Sequence, residues 1–303
     1  MSATPASVVP EAQTMPETKA EAVADAIKLL SEPLSGPIDD LSLLRQSLLF
    51  AEIAKLSYYR DDVVREAARQ VGLEEVHYFE NDGAQAYVFG NQYDRIVACR
   101  GTEPNEWNDI RADVNAISVI AESMGRVHRG FKKEVDDLWP VIEQYLKDND
   151  KTLWFTGHSL GGAMATICAG RCKISEIPSN PQGLFTFGSP RVGDKRYINF
   201  VKIHHYRWVN NNDIVTRVPP MWMGYRHSGH EMYFNAFGRL RKYRPWRRFR
   251  DRMHGLMMSL AKWKIDWLCD HSMVFYVANI KQAIEDEKAG RIRPVRKLPP
   301  TIG

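Results

Sequence analysis

The spacing of apolar residues along the chain changes period several times, and each change marks an element. Leu41–Tyr59 carries Leu, Phe, Ala and Ile at helical spacing and Asp61–Val71 repeats it, so two helices are expected there. The period then shortens. Glu75–Glu80, Ala84–Phe89 and Arg95–Arg100 read as strands, and Asn81-Asp82-Gly83 reads as a hairpin turn between the first two. A loop with a short helix is expected over Glu106–Ala116, then a helix from Gly130 to Lys147. The strand Thr152–Thr156 runs into a helix over Leu160–Lys173, and Gly183–Phe187 and His204–Val209 are further strands. A strand near Glu231–Asn235 and a helix from Asp270 to Lys288 follow. Strands alternating with helices predict an α/β fold, a single domain with a mainly parallel central sheet flanked by helices. In such sheets ligands sit beyond the C-terminal ends of the strands.

Composition sets the boundaries. Residues 1–37 are rich in Ala, Pro, Glu and Ser and are expected to be disordered, with order beginning near Ile38. The ordered domain is expected over 38–288, with a basic aromatic insertion at about 239–267 and a flexible basic tail over 289–303. The net charge of +4 is too small for a general nucleic-acid binder, so no nucleic-acid partner is expected. No apolar run approaches the ~20 residues that span a bilayer. The N-terminus lacks a basic n-region and an apolar h-region, so the default expectation is a cytoplasmic protein, with export by another route left open. Cys99, Cys168, Cys172 and Cys269 have mostly apolar neighbours and read as reduced thiols rather than metal ligands.

The chemistry centres on Gly157-His158-Ser159-Leu160-Gly161-Gly162-Ala163, which follows the apolar run Leu153-Trp154-Phe155. Strand, G-x-S-x-G and a small-residue helix are the layout of a nucleophile elbow, where glycines let strand and helix backbones approach closely. A serine needs a histidine to take its proton and a carboxylate to orient the imidazole. In hydrolases with this elbow the order is Ser, then Asp or Glu, then His. Asp213, just past the strand His204–Val209, is the leading acid, and Asp194 is its competitor, read as a loop residue after the preceding strand. His227, His230, His254 and His271 all follow Asp213, and position alone favours His271 at the start of the last helix. The oxyanion donors expected are the backbone N–H groups of Leu160 and Thr102, the latter in the loop after Arg95–Arg100.

These residues sit within a longer series of blocks. Arg100-Gly101-Thr102 is followed by Trp107, Asp109 and Ala112-Asp113, then by Val127-His128-Arg129-Gly130-Phe131 and the elbow. Phe187-Gly188-Ser189-Pro190-Arg191-Val192-Gly193, Asn212-Asp213-Ile214-Val215 through Pro219-Pro220, Gly224-Tyr225-Arg226-His227 with His230-Glu231, and Asp270-His271-Ser272 with Tyr276 complete it. Over roughly residues 40–285 the chain resembles the class 3, fungal-type lipases. The resemblance implies an α/β-hydrolase fold with Ser159, Asp213 and His271 as its triad, and no metal or cofactor. It also implies a lid helix over Glu103–Val114, with Trp107 facing the acyl site. Trp107 and His158 are expected to contact substrate. The implied activity is hydrolysis of acylglycerols or other lipid esters. A phospholipase A1, a short-chain or aromatic-acid esterase, and a non-catalytic lipid-binding protein are the alternatives.

One segment departs from the compact fungal pattern. Arg239 to Arg252 concentrates positive charge and interleaves Tyr243, Trp246 and Phe249, and Gly255–Trp267 continues with Leu, Met and Trp. It reads as a solvated insertion, as a patch making peripheral contact with anionic lipid headgroups or, as a distant third, as a nucleic-acid contact.

Overall fold

In the computed structural model, residues 30, 33–101, 117–244, 246–248, 250–254 and 269–298 are described. Strands β1 (Glu75–Asn81) and β2 (Ala84–Gly90) are antiparallel and joined by the expected turn. Asp82 and Gly83 both take positive φ, 47° and 85°, which a tight two-residue turn between right-twisted strands requires. β2 pairs antiparallel with β3 (Asp94–Cys99), and from there the sheet turns parallel. β3, β6 (Thr152–His158), β7 (Pro181–Phe187), β8 (His205–Asn210) and β9 (His230–Phe234) lie side by side, and β10 (Leu240–Arg241) closes the edge antiparallel. The order is β1-β2-β3-β6-β7-β8-β9-β10. A separate ribbon, β4 (Ser118–Ile120) with β5 (Arg126–His128), was not anticipated, because three residues are too short to display a period.

Helices cover both faces. They are α1 (Leu43–Leu56), α2 (Asp61–Gln70), α3 (Arg129–Leu146), α4 (Leu160–Arg171), α5 (Lys195–Phe200) and α6 (Met273–Lys288). Phe50 and Ile53 of α1, Val64 of α2 and Ile280 of α6 pack on one face with Ile96, Trp154 and Phe185. Val135 and Ile142 of α3 and Ala165 of α4 pack on the other with Val97, Phe155 and Leu184. Successive residues such as Trp154 and Phe155 therefore serve opposite cores, which is why the central strands read as unbroken apolar runs. No described helix is long and apolar enough to cross a membrane.

Several expectations are corrected. Leu30 is buried in the first core and the Leu34 N–H donates to the Val71 carbonyl (2.9 Å), so ordered contacts begin before Ile38. The tail over 289–298 is not a loose end. Ile292, Val295 and Leu298 pack against the core, the Leu298 N–H donates to the Tyr206 hydroxyl (2.9 Å), and Lys297 pairs with Asp39 (2.7 Å). Asp194 is a helix cap, since its carboxylate accepts the Tyr197 N–H (2.8 Å) and starts α5. The last helix begins at Met273, and His271 lies just before it in a one-turn 3-10 helix, Cys269–His271.

Candidate active site

The parallel register brings the C-terminal ends of four strands together. Cys99 is opposite Gly157, His158 opposite Phe187, and Phe187 opposite Trp208. The connections that leave these ends carry Gly101, Ser159, Gly188 and Asp213.

Ser159 has φ 58° and ψ −129°, a conformation that costs a non-glycine residue on the order of 1–3 kcal/mol. The sheet holds it there. Its N–H donates to the Phe187 carbonyl (3.0 Å), and its own carbonyl accepts the Gly162 N–H (3.0 Å). A Cβ on Gly157 would strike the Gly161 carbonyl, and one on Gly161 would strike the Cys99 carbonyl and lie 2.8 Å from the Gly101 nitrogen. Strand, helix and the loop after β3 thus meet backbone to backbone. The Leu160 N–H stands at the first turn of α4, where the helix supplies no preceding carbonyl for it and the dipole favours negative charge.

Asp213 is wholly buried on the loop after β8. Its carboxylate accepts from the Val215 N–H (2.9 Å), the Tyr276 hydroxyl (2.6 Å) and His271 Nδ1 (3.0 Å). A proton on Nδ1 for this bond leaves Nε2 as the basic nitrogen. Gly188, at φ 59°, is required here, because a Cβ would lie 2.8 Å from both Asp213 Oδ2 and the His271 ring. The Tyr276 hydroxyl is held well above its usual range, first by burial and then by the Asp213 charge, so it stays a donor. Asp270 accepts the Asn212 N–H (3.1 Å), and the Asn210 amide donates to the Asp270 carbonyl (3.0 Å), which ties the acid loop to the histidine turn.

His158, expected to contact substrate, has a structural role of its own. Its Nε2 donates to the His271 carbonyl (2.7 Å), and its Nδ1 therefore accepts from the Tyr58 hydroxyl (2.9 Å). Burial, and secondarily the neighbouring His271, hold its pKa well below the usual histidine value, so the ring is neutral. Both ring nitrogens are thus engaged within the protein, and His158 positions the turn that carries His271. Tyr58 was missed by sequence reasoning, since nothing local links it to a residue 100 positions away. Of the rival histidines, His227 bonds the Thr216 carbonyl (2.7 Å) and His254 lies tilted against exposed Phe237 (ring centroids 5.5 Å). Thr102, Trp107 and the expected lid over Glu103–Val114 lie outside the described residues. Among the described residues, no group of three or more His, Cys, Asp or Glu is placed to hold a metal ion.

This sheet, with the serine at the strand–helix turn and the acid and histidine from later loops, is an α/β-hydrolase fold. Residues 96–223 match the family described as "Lipase (class 3)". Toxin TseL of Vibrio cholerae serotype O1 (strain ATCC 39315 / El Tor Inaba N16961) is 30% identical over 190 residues, covering 48% of this chain and 30% of that protein. Secreted mono- and diacylglycerol lipase 1 of Fusarium solani is 37% identical over 118 residues, covering 36% of this chain and 34% of that protein. The structure of lipase II from Rhizopus niveus superposes with a TM-score of 0.53 at 27% identity, covering 63% of this chain and 80% of that one. The resemblance to class 3 lipases is therefore borne out, although the chain spans only about a third of the length of the first curated relatives it matches. The matched segment contains Ser159 and Asp213, and His271 lies beyond it. These relatives do not favour the cytoplasm over secretion.

Proposed function

We propose that this protein is a serine carboxylic-ester hydrolase acting on acylglycerols or other lipid esters. The observation that carries the reading is the buried Asp213–His271 pair, bonded beside the elbow that bears Ser159. Ser159 Oγ attacks the ester carbonyl as His271 Nε2 takes its proton, and Asp213 stabilises the imidazolium. The Leu160 N–H, with that of Thr102, holds the oxyanion. His271 then protonates the departing alcohol, and water repeats the sequence on the acyl-enzyme. Acylglycerols are favoured because the Fusarium relative is named for mono- and diacylglycerols. Ser159→Ala is expected to lower turnover of a chromogenic ester series by about 10⁶-fold. Turnover within tenfold of the unmodified protein would refute the reading.

A further inference from the structure

The insertion that sets this chain apart is sorted into two faces by its tertiary contacts. Three of its arginines turn inward. Arg239 pairs with Asp286 of α6 (2.6 Å), Arg248 pairs with Glu231, and Arg252 lies over the Tyr233 ring (5.7 Å to its centroid). The one acidic residue of the stretch Arg239–Arg252, Asp251, also turns inward and accepts from the Tyr233 hydroxyl (2.8 Å). Arg241, Lys242, Arg244, Arg247 and Arg250 are exposed, and none makes an ion pair among the described residues. Trp246 stands among them at 68% exposure, and Phe237 and Met253 are 63% and 42% exposed.

Packing demands do not account for the outward set, because the inward arginines already anchor the insertion. Five exposed cations, without ion pairs among the described residues, and an exposed tryptophan match a surface that is anionic at its headgroups and apolar beneath them. The short helix over 246–248 and 250–254 also reaches the candidate site. The Asn212 amide donates to the Arg252 carbonyl (3.3 Å), and the Tyr233 hydroxyl, which bonds Asp251, lies 3.0 Å from Asn211 Oδ1. Asn211 and Asn212 lead directly into Asp213.

From this we infer that the outward face formed by Arg241, Lys242, Arg244, Trp246, Arg247 and Arg250 docks the enzyme on an anionic lipid surface. Docking there would hold the acid loop, and with it the catalytic centre, at that surface. The inference rests on the ester-hydrolase reading for its purpose, but its test does not depend on hydrolysis.

Sedimentation with vesicles of phosphatidylcholine, alone or mixed with phosphatidylserine, tests it in a Ser159→Ala background that leaves the vesicles intact. The expected result is binding to the mixed vesicles only, weakening steeply as salt is raised. Replacing Arg244, Arg247 and Arg250 together with Glu should weaken that binding at least about 100-fold, and replacing them with Lys should preserve it. Equal binding to both vesicles, binding indifferent to salt, or full binding by the Glu variant would each overturn the inference. So would binding of heparin or single-stranded RNA with no binding to vesicles. Because the salt series uses the unsubstituted insertion, the test survives a Glu variant that fails to fold. Vesicle binding by a protein without esterase activity would sink the proposed function and leave the docking face standing.

Discussion

The elbow half of the candidate site and its acid–histidine half are built from different materials. The elbow is held by backbone. Gly157, Gly161 and Gly101 let a strand, a helix and a loop touch, and Ser159 takes its strained φ because Phe187 and Gly162 hold both of its peptide groups. The other half is held by side chains. Asp213, His271, Tyr276 and Asp270 come from two segments about 60 residues apart and reach one another through directed hydrogen bonds. A backbone-built half tolerates no added volume. A side-chain-built half tolerates isosteric replacement while losing its chemistry.

That contrast can be broken in four places. The largest effect is expected for Asp213→Asn, which keeps the shape but removes the charge and favours the wrong imidazole tautomer. Ester turnover should fall by about 10⁴-fold with the unfolding temperature nearly unchanged, as followed by circular dichroism. In the elbow half, Gly161→Ala should instead act on folding, costing about 3 kcal/mol in urea unfolding, because its Cβ would meet the Cys99 carbonyl. Wild-type stability in that variant would disprove backbone contact as the basis of the elbow.

Acid should act through the buried histidines. Burial pushes His205, at the start of β8, down to about 3 and holds His227, which bonds the Thr216 carbonyl, well below its usual value. These folded-state values lie below that of an unfolded histidine, so protons bind preferentially to the unfolded chain. The stabilisation is fully present above about pH 6.5 and is lost as the pH falls through that value toward the folded-state one. For His205 this amounts to about 2 kcal/mol between about pH 6 and pH 4.5, and His205→Gln should flatten the slope of unfolding free energy by that amount. An unchanged slope would mean that this imidazole is already charged in the folded protein. The smallest effect is expected for Tyr276→Phe, which removes one of the donors to Asp213. Turnover should drop about tenfold with KM held, the loss of one charge-assisted hydrogen bond. A change confined to KM would place Tyr276 at the substrate rather than behind the acid.

Much of this was legible along the chain because the physical cause is local. Two-faced burial makes apolar runs, the Asp82–Gly83 turn follows from two residues that reach positive φ, and an elbow needs glycines on either side of its serine. Ser159, Asp213 and His271 could be named as candidates because order along the chain and the blocks it shares with class 3 lipases restrict which acid and which histidine are in position to serve. Other features had no local signal. The inward ring of His158 depends on Tyr58, the packed tail depends on Tyr206 and Asp39, and Asp194 shows itself as a cap only once α5 forms against β5.

The sequence by itself therefore determined the main strands and helices, the fold class and the candidate residues of the site, since these follow from periodicity and from chemistry that tolerates few substitutes. Only the tertiary structure decided which groups face one another. It turned His158 inward, set Tyr276 behind Asp213, and split one basic stretch into anchors and an outward face. The reason is physical. Hydrogen bonds and ion pairs act over a few ångströms, and residues far apart in the chain come within that range only when the sheet brings its strand ends together.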